Sequence, residues 1–411
     1  MGRVPGTLAE ILDPVSLDQF LQDYLGKEYF YCPGQPRKFA GLLPWAELNR
    51  ILEHHRLDVP QLRLVRDGKA LPAASFIQYR SSRRSGRSVP RIRSAELTRH
   101  LKEGATLILD AMDEIQPPIT SLAENLERQL CNRIQVNMYA GWRSSPGFDL
   151  HWDGHDVLIL QVSGRKLWKV YPMTRPHPLP NDSEPAGDPP STPVWEGTLN
   201  AGDVLYIPRG WWHVAIPLDE PTLHLTVGLH QQNGVDLLSW FGDRLRSSCT
   251  VRQDLPRFAN QDEKTAYLNR IREAFLANWN AGILDEYFAE SDARVQTRPH
   301  FSLPWTATPD GLPDDAEDWS VKWIVPRPVN LEPDRESGVV KIATKGKQWT
   351  FAAAAIPLLS ALQEKGTCTV EELRGSGQLS SEVVRNFVKE LVEAGLAIVV
   401  YTVVYDGNHA V

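Results

Sequence analysis

The side chains whose types and spacing could do chemistry begin with Leu150-His151-Trp152-Asp153. In an extended strand alternate side chains share a face, so His151 and Asp153 would present an imidazole and a carboxylate side by side. A second imidazole from a distant strand would complete two histidines and one carboxylate on one face of an octahedron, with positions left open. His213, in Gly210-Trp211-Trp212-His213, can supply it. So can His224, in Leu223-His224-Leu225-Thr226-Val227-Gly228, where alternation puts His224 and Thr226 on one face. Such a donor set is the one used by non-haem Fe(II) oxygenases.

The elements that must position these groups read as strands. Val157 to Val162 is apolar and β-branched, Ser163-Gly164-Arg165-Lys166 is a tight turn, and Leu167-Trp168-Lys169-Val170-Tyr171 is a second strand. Gly202 to Pro208 gives a turn and strand that lead directly to His213. Two ligands on one strand and a third at the start of another describe the mouth of a small β-barrel or jelly roll. Upstream, Gly104 to Asp110 reads as a buried strand, Ile119 to Leu130 as a helix, and Arg133 to Tyr139 as a further strand. Asn137 and Tyr139 share a face of that strand, either as plain surface or as hydrogen-bonding groups lining a pocket. The proline-rich residues 172–196 read as an irregular loop inserted between barrel strands.

With 411 residues the chain exceeds one ordinary core and calls for two or three domains. Its 42% hydrophobic and 23% charged residues are those of a soluble globular protein. No apolar run approaches the roughly 18 residues of a membrane span, and no basic and apolar leader opens the chain, so the expectation is a cytoplasmic protein. Cys32, Cys131, Cys249 and Cys368 are scattered without a CxxC pair and fit reduced, structural thiols. A net charge of −7 argues against a nucleic-acid partner.

Near the N-terminus Ser16 caps a helix, Tyr29 to Gly34 is a strand stopped by proline and glycine, and Leu43 to Leu52 has helical spacing. The basic run from Tyr79 to Arg93, with Arg80, Arg83, Arg84, Arg87 and Arg91, reads as a solvated loop, the other reading being a surface that meets an acidic partner. Residues 235–280 are helical, and 298–318, rich in proline and aspartate, mark a boundary. The C-terminal part is expected to be a small winged-helix unit. It has a helix from Phe351 to Leu362, a second opened by the capping box Thr369-Val370-Glu371-Glu372, a third from Ser380 to Ala394, and a wing strand from Leu396 to Val404. Winged helices often bind DNA, but residues 352–411 hold seven acidic against four basic side chains, which favours interaction with or holding of a substrate.

Asn137 and Tyr139, His151-Trp152-Asp153, the run Gln161 to Tyr171 and His213 together resemble the Jumonji-C oxygenases. The order of parts resembles the ribosomal-oxygenase branch, whose members hydroxylate arginine or histidine residues of ribosomal proteins, so the resemblance covers most of the chain. It implies a mainly β double-stranded β-helix (jelly roll or cupin) core with flanking helices over 1–233, a helical dimerisation segment over 234–300 and a winged-helix-like domain over 301–411. It implies Fe(II) held by His151, Asp153 and His213, and O2 as the oxidant. It also implies 2-oxoglutarate with its distal carboxylate met by Lys166, and Asn137, Tyr139 and Thr226 around it. Taken on its own, Lys166 is either a point charge for a carboxylate or a solvated lysine at a hairpin turn. Trp152, Trp211, Trp212 and the proline-rich insertion depart from the pattern. The expectation is therefore a homodimeric hydroxylase of a protein or peptide, with no membrane or direct DNA contact. A hydroxylase of a free amino acid or natural product, and a non-catalytic regulatory protein, are the other readings.

Overall fold

In a computed structural model, residues 5–81, 88–144, 147–179, 182, 187–307, 312, 319–334 and 337–401 are described. They fall into two compact units, Met1–Gln232 and Asn233–Val411.

The first unit holds thirteen strands among its described residues. They are β1 (Phe30–Cys32), β2 (Leu62–Arg66), β3 (Lys69–Ala70), β4 (Ile77–Ser81), β5 (Ser88–Ile92), β6 (Thr106–Leu109), β7 (Arg133–Gly141), β8 (Asp156–Ser163), β9 (Lys166–Tyr171), β10 (Trp195–Leu199), β11 (Val204–Ile207), β12 (Trp212–Pro217) and β13 (Thr222–His230). An eight-stranded sheet has the order β1-β11-β8-β13-β7-β6-β2-β3, and a three-stranded sheet the order β10-β9-β12. Helices α1 (Leu8–Leu12), α2 (Leu17–Gln19), α3 (Trp45–His54), α4 (Ser94–Lys102) and α5 (Pro117–Leu130) accompany them.

Side-chain alternation divides the large sheet into two environments. From β13, Leu223, Leu225, Val227 and Leu229 join a core with Leu158 and Leu160 of β8 and with Ile119, Leu122 and Leu126 of α5. The i, i+3, i+7 spacing in α5 places those three on one stripe, Pro117 starts the helix, and Cys131 in the left-handed region ends it. The opposite face contributes Val157, Ile159, Leu205 and Ile207, which pack with Trp168, Val170 and Leu199 of the smaller sheet. Strand β8 is buried on both faces, hence its nearly unbroken apolar run. Two apposed sheets with an apolar interior are the jelly-roll core that the sequence calls for.

The basic run is not a loop where it is described. β4 and β5 form a hairpin with Ile77 opposite Ile92 and Arg80 opposite Val89. Ile77 is buried, while Gln78, Tyr79, Arg80 and Arg91 are exposed. Arg83, Arg84 and Arg87 lie outside the described residues.

The second unit opens with α6 (Gly234–Arg244), α7 (Gln261–Asn278) and α8 (Ile283–Arg294). Phe241 of α6 meets the ring of Phe275 at 4.8 Å and that of Trp279 at 5.0 Å. Beyond them come β14 (Trp319–Trp323), β15 (Pro333–Asp334), β16 (Val339–Thr344), β17 (Lys347–Ala352), α9 (Ile356–Lys365), β18 (Thr367–Thr369), α10 (Val370–Gly377), α11 (Ser381–Glu393) and β19 (Ala397–Tyr401). The expected helix from Phe351 is corrected: Lys347–Ala352 pairs with β16 as a strand, and Pro357 fixes the helix start only at Ile356. The capping box at Thr369 is present, with Glu372 bonded back to the Thr369 amide. β19 lies beside β14, which also pairs with β18, so it belongs to a three-stranded sheet. Residues 402–404 of the expected wing strand lie outside the described residues.

Candidate functional site

His151 and Asp153 do not sit in a continuous strand, which corrects the sequence-based expectation. They precede β8, separated from it by a bend at Gly154 and His155. Their placement comes from a single antiparallel bridge between His151 and His213. The His213 amide donates to the His151 carbonyl at 2.7 Å and the His151 amide to the His213 carbonyl at 3.2 Å. A third bond, Gly210 N–H to the Asp153 carbonyl at 2.9 Å, ties the approach to β12 onto the same segment. Gly210 has φ +83°, and a Cβ there would stand 2.8 Å from Pro178 Cδ, so glycine is required at this crossing.

The two imidazoles lie 4.5 Å apart, and one ligand atom from each of His151, Asp153 and His213 lies within 4.8 Å of the others. His151 Nδ1 faces the Asp149 carbonyl at 2.8 Å and His213 Nδ1 the Trp211 carbonyl at 3.0 Å. A proton on each Nδ1 satisfies those carbonyls and leaves each Nε2 lone pair for a metal. His213 Nε2 is 3.5 Å from Asp153 Oδ2. Burial opposes ionisation of Asp153, but the hydrogen bond and charge of His213, with His151 and His155, outweigh it and hold the carboxyl well below its usual range. Burial, with His213 alongside, lowers the His151 pKa and favours the neutral ring. An ionised Asp153 and a neutral His151 ring are protonation states that suit a divalent cation. The donor set therefore fits a metal with a two-histidine, one-carboxylate preference.

A cavity of about 190 Å³ opens beside the three ligands. Lys166 reaches it from the start of β9. The turn that delivers it needs Gly164, whose φ is +66° and whose Cβ would stand 2.1 Å from the Pro221 carbonyl. Arg165 turns outward to pair with Glu220, whereas Lys166 turns inward and is only 3% exposed. Its Nζ stands 5.9 Å over the Trp168 ring with no carboxylate partner among the described residues. Burial alone pushes its pKa down to about 7. The solvated-lysine reading of this residue is ruled out.

Tyr139 and Thr226 line the cavity as well, from β7 and β13. Asn137 does not, although it shares Tyr139's face. Its Oδ1 accepts the Ala111 amide at 3.0 Å and its side chain bonds to Tyr139, so it holds the tyrosine in place. His224 lines the cavity but lies outside the metal-ligand group. Sequence reasoning missed Thr106, a buried hydroxyl on the cavity wall, and Trp168, whose ring lies 6.2 Å from that of His213 and 5.9 Å from Lys166 Nζ. Periodicity alone marks both as core. Trp211 and Trp212, bulky for a metal-site rim, have structural work: Trp211 packs on Tyr29 and Trp212 donates to Thr174 at 2.9 Å, anchoring the proline-rich segment.

Residues 112–237 match the family model for the JmjC domain. The match covers less than a third of the chain. All three candidate ligands, Lys166, Tyr139 and Thr226 fall inside it, and Thr106 just before it. Among relatives, the chain is 26% identical over 239 residues to the bifunctional lysine-specific demethylase and histidyl-hydroxylase NO66 of Dictyostelium discoideum, covering 56% of this chain and 43% of that protein. It is 26% identical over 351 residues to ribosomal oxygenase 1 of Homo sapiens, covering 78% and 52%. The chain thus spans about half the length of these relatives. In fold it is similar to the ribosomal oxygenase YcfD of Escherichia coli, with a TM-score of 0.57, 19% identity and coverage of 93% of this chain and 98% of that one. A structure of YcfD in complex with cobalt and 2-oxoglutarate gives a TM-score of 0.56 at 20% identity, covering 94% and 98%.

Proposed function

We propose that the chain is an Fe(II)- and 2-oxoglutarate-dependent oxygenase that hydroxylates an amino-acid side chain of a protein, with arginine or histidine of a ribosomal protein as the substrate class. The observation that carries this reading is one cavity with a two-histidine, one-carboxylate donor set on one wall and, on another, a buried lysine with no carboxylate partner among the described residues. Bound iron would supply the redox chemistry that couples decarboxylation of 2-oxoglutarate to insertion of oxygen into a C–H bond.

The protein's own part is binding, orientation and exclusion of water. His151, Asp153 and His213 hold the metal, their Nδ1–H bonds to backbone carbonyls fixing both imidazoles. Lys166 meets the distal carboxylate of 2-oxoglutarate, in an environment dry enough for the pair to count. Tyr139 and Thr226 border that carboxylate, and Asn137 keeps Tyr139 aligned. Val157, Ile159 and Trp168 keep the cavity apolar between these groups.

The substrate class is brought from the histidyl-hydroxylase and ribosomal oxygenase names of the relatives. We assign 1–233 to catalysis, 234–300 to self-association and 301–411 to a winged-helix-like unit that holds the protein substrate. Helices α9 to α11 with the sheet β18-β14-β19 support that last assignment, and the acidic balance of 352–411 speaks for a protein partner over DNA. Mass spectrometry of cellular proteins with and without the gene tests the function. The expected result is a gene-dependent gain of one oxygen atom on a protein side chain. A matching oxygen gain confined to a small metabolite would transfer the activity to free substrates.

A further inference from the structure

His224 is a buried polar group that metal binding leaves without a task. It is 3% exposed, lies in β13 opposite Tyr139, and stacks on that ring with centroids 5.0 Å apart and planes 5° from parallel. Trp168 closes the other side edge-on at 5.4 Å. Nδ1 is fully buried with no hydrogen-bond partner, and the ring lines the same cavity as Lys166. An apolar residue would fill this slot between two aromatic rings at no such cost, because an unsatisfied buried nitrogen destabilises the fold by itself.

The geometry also selects a tautomer. A proton on Nδ1 would be an orphaned buried donor, whereas a proton on Nε2 leaves only a lone pair at Nδ1. Burial, reinforced by the nearby Lys166 ammonium, keeps the ring neutral. Lys166 and a neutral imidazole donor then share a cavity whose lining carboxylate, Asp153, forms no ion pair with Lys166 among the described residues.

We propose that His224 is a cosubstrate-binding residue that donates Nε2–H to the distal carboxylate of 2-oxoglutarate beside Lys166. This rests on the reading that the cavity holds 2-oxoglutarate. The metal cluster is complete without His224, so its contribution falls on the cosubstrate alone.

The test is calorimetric titration of the Mn(II)-loaded, full-length protein with 2-oxoglutarate and, separately, with 2-oxobutyrate, which has the keto acid but no distal carboxylate. His224→Phe keeps the ring plane and removes the donor, and His224→Gln keeps a donor. The phenylalanine variant is expected to bind 2-oxoglutarate about tenfold to a hundredfold more weakly, the size of one hydrogen bond to a charged group. It should bind Mn(II) and 2-oxobutyrate as the unaltered protein does, and the glutamine variant should recover most of the loss. Unchanged 2-oxoglutarate affinity in His224→Phe, or equal losses for both keto acids, would overturn the proposal. Should the phenylalanine variant not fold, the same comparison on His224→Leu decides. If the unaltered protein binds no 2-oxoglutarate, the functional reading itself falls, a result distinguishable from failure of the His224 assignment alone.

Discussion

Lys166 is the residue on which the cosubstrate reading turns, because its burial without a counterion has a measurable consequence. In the free protein its pKa is pushed down to about 7, and a carboxylate beside it would favour the charged form and raise the pKa again. The sign follows: below about pH 7 the ammonium already exists and binding needs no proton, whereas above it binding must take one up. Affinity for 2-oxoglutarate is therefore expected to fall as pH rises past about 7, by up to roughly tenfold per unit. Calorimetry in buffers of different ionisation heat should show nearly one proton taken up at about pH 8 and little at about pH 6. Lys166→Ala should lose both the proton uptake and well over tenfold in affinity, since a buried charge left unpaired costs about 2–5 kcal/mol. Absence of uptake at the higher pH would assign the lysine a structural place. Residue spacing exposed much of this site: His151, Asp153 and His213 meet, and the inward turn of Lys166 follows from its place one residue after Arg165. Asn137 shows the limit. Strand parity puts it on Tyr139's face but cannot say how far along the strand the cavity extends.

At the scale of elements, periodicity read most strands and helices because each buries one regular face. β13 alternates between core leucines and the cavity residues His224 and Thr226 with no exception up to Thr226. Three features escaped. The His151–His213 bridge depends on a partner far along the chain, whereas the β4–β5 hairpin and the strand Lys347–Ala352, paired with the neighbouring β16, are local pairings whose side chains lack a clean alternation of apolar and polar residues. The helices of the second unit leave apolar positions uncovered: Val235 and Leu238 on α6, Leu268 and Leu276 on α7, Leu284 and Phe288 on α8 are all exposed. The i, i+3 and i, i+4 spacings within α6 and α8 make stripes, and a second copy of the chain in a closed twofold pair is the proposed cover. Light scattering at micromolar concentration is expected to give twice the 46.3 kDa chain mass, and Leu284→Glu with Phe288→Glu to shift the protein toward monomer. A monomer without any substitution would remove the assignment of 234–300 to self-association.

Across the whole molecule, all candidate ligands and cavity residues belong to the first unit, so catalysis and the roles proposed for residues 234–411 are separable. The roles proposed for the second unit are assembly and protein-substrate handling, not metal or 2-oxoglutarate binding. Oxygenase chemistry here requires that His151, Asp153 and His213 form one metal site, and anaerobic equilibrium dialysis of Fe(II) against purified variants tests that most directly. The unaltered protein and His224→Gln are expected to bind one iron per chain, and His151→Ala, Asp153→Ala and His213→Ala each to lose at least about tenfold in affinity. Iron that stays on His213→Ala but leaves His224→Gln would contradict the account, as would a chain that binds no iron at all.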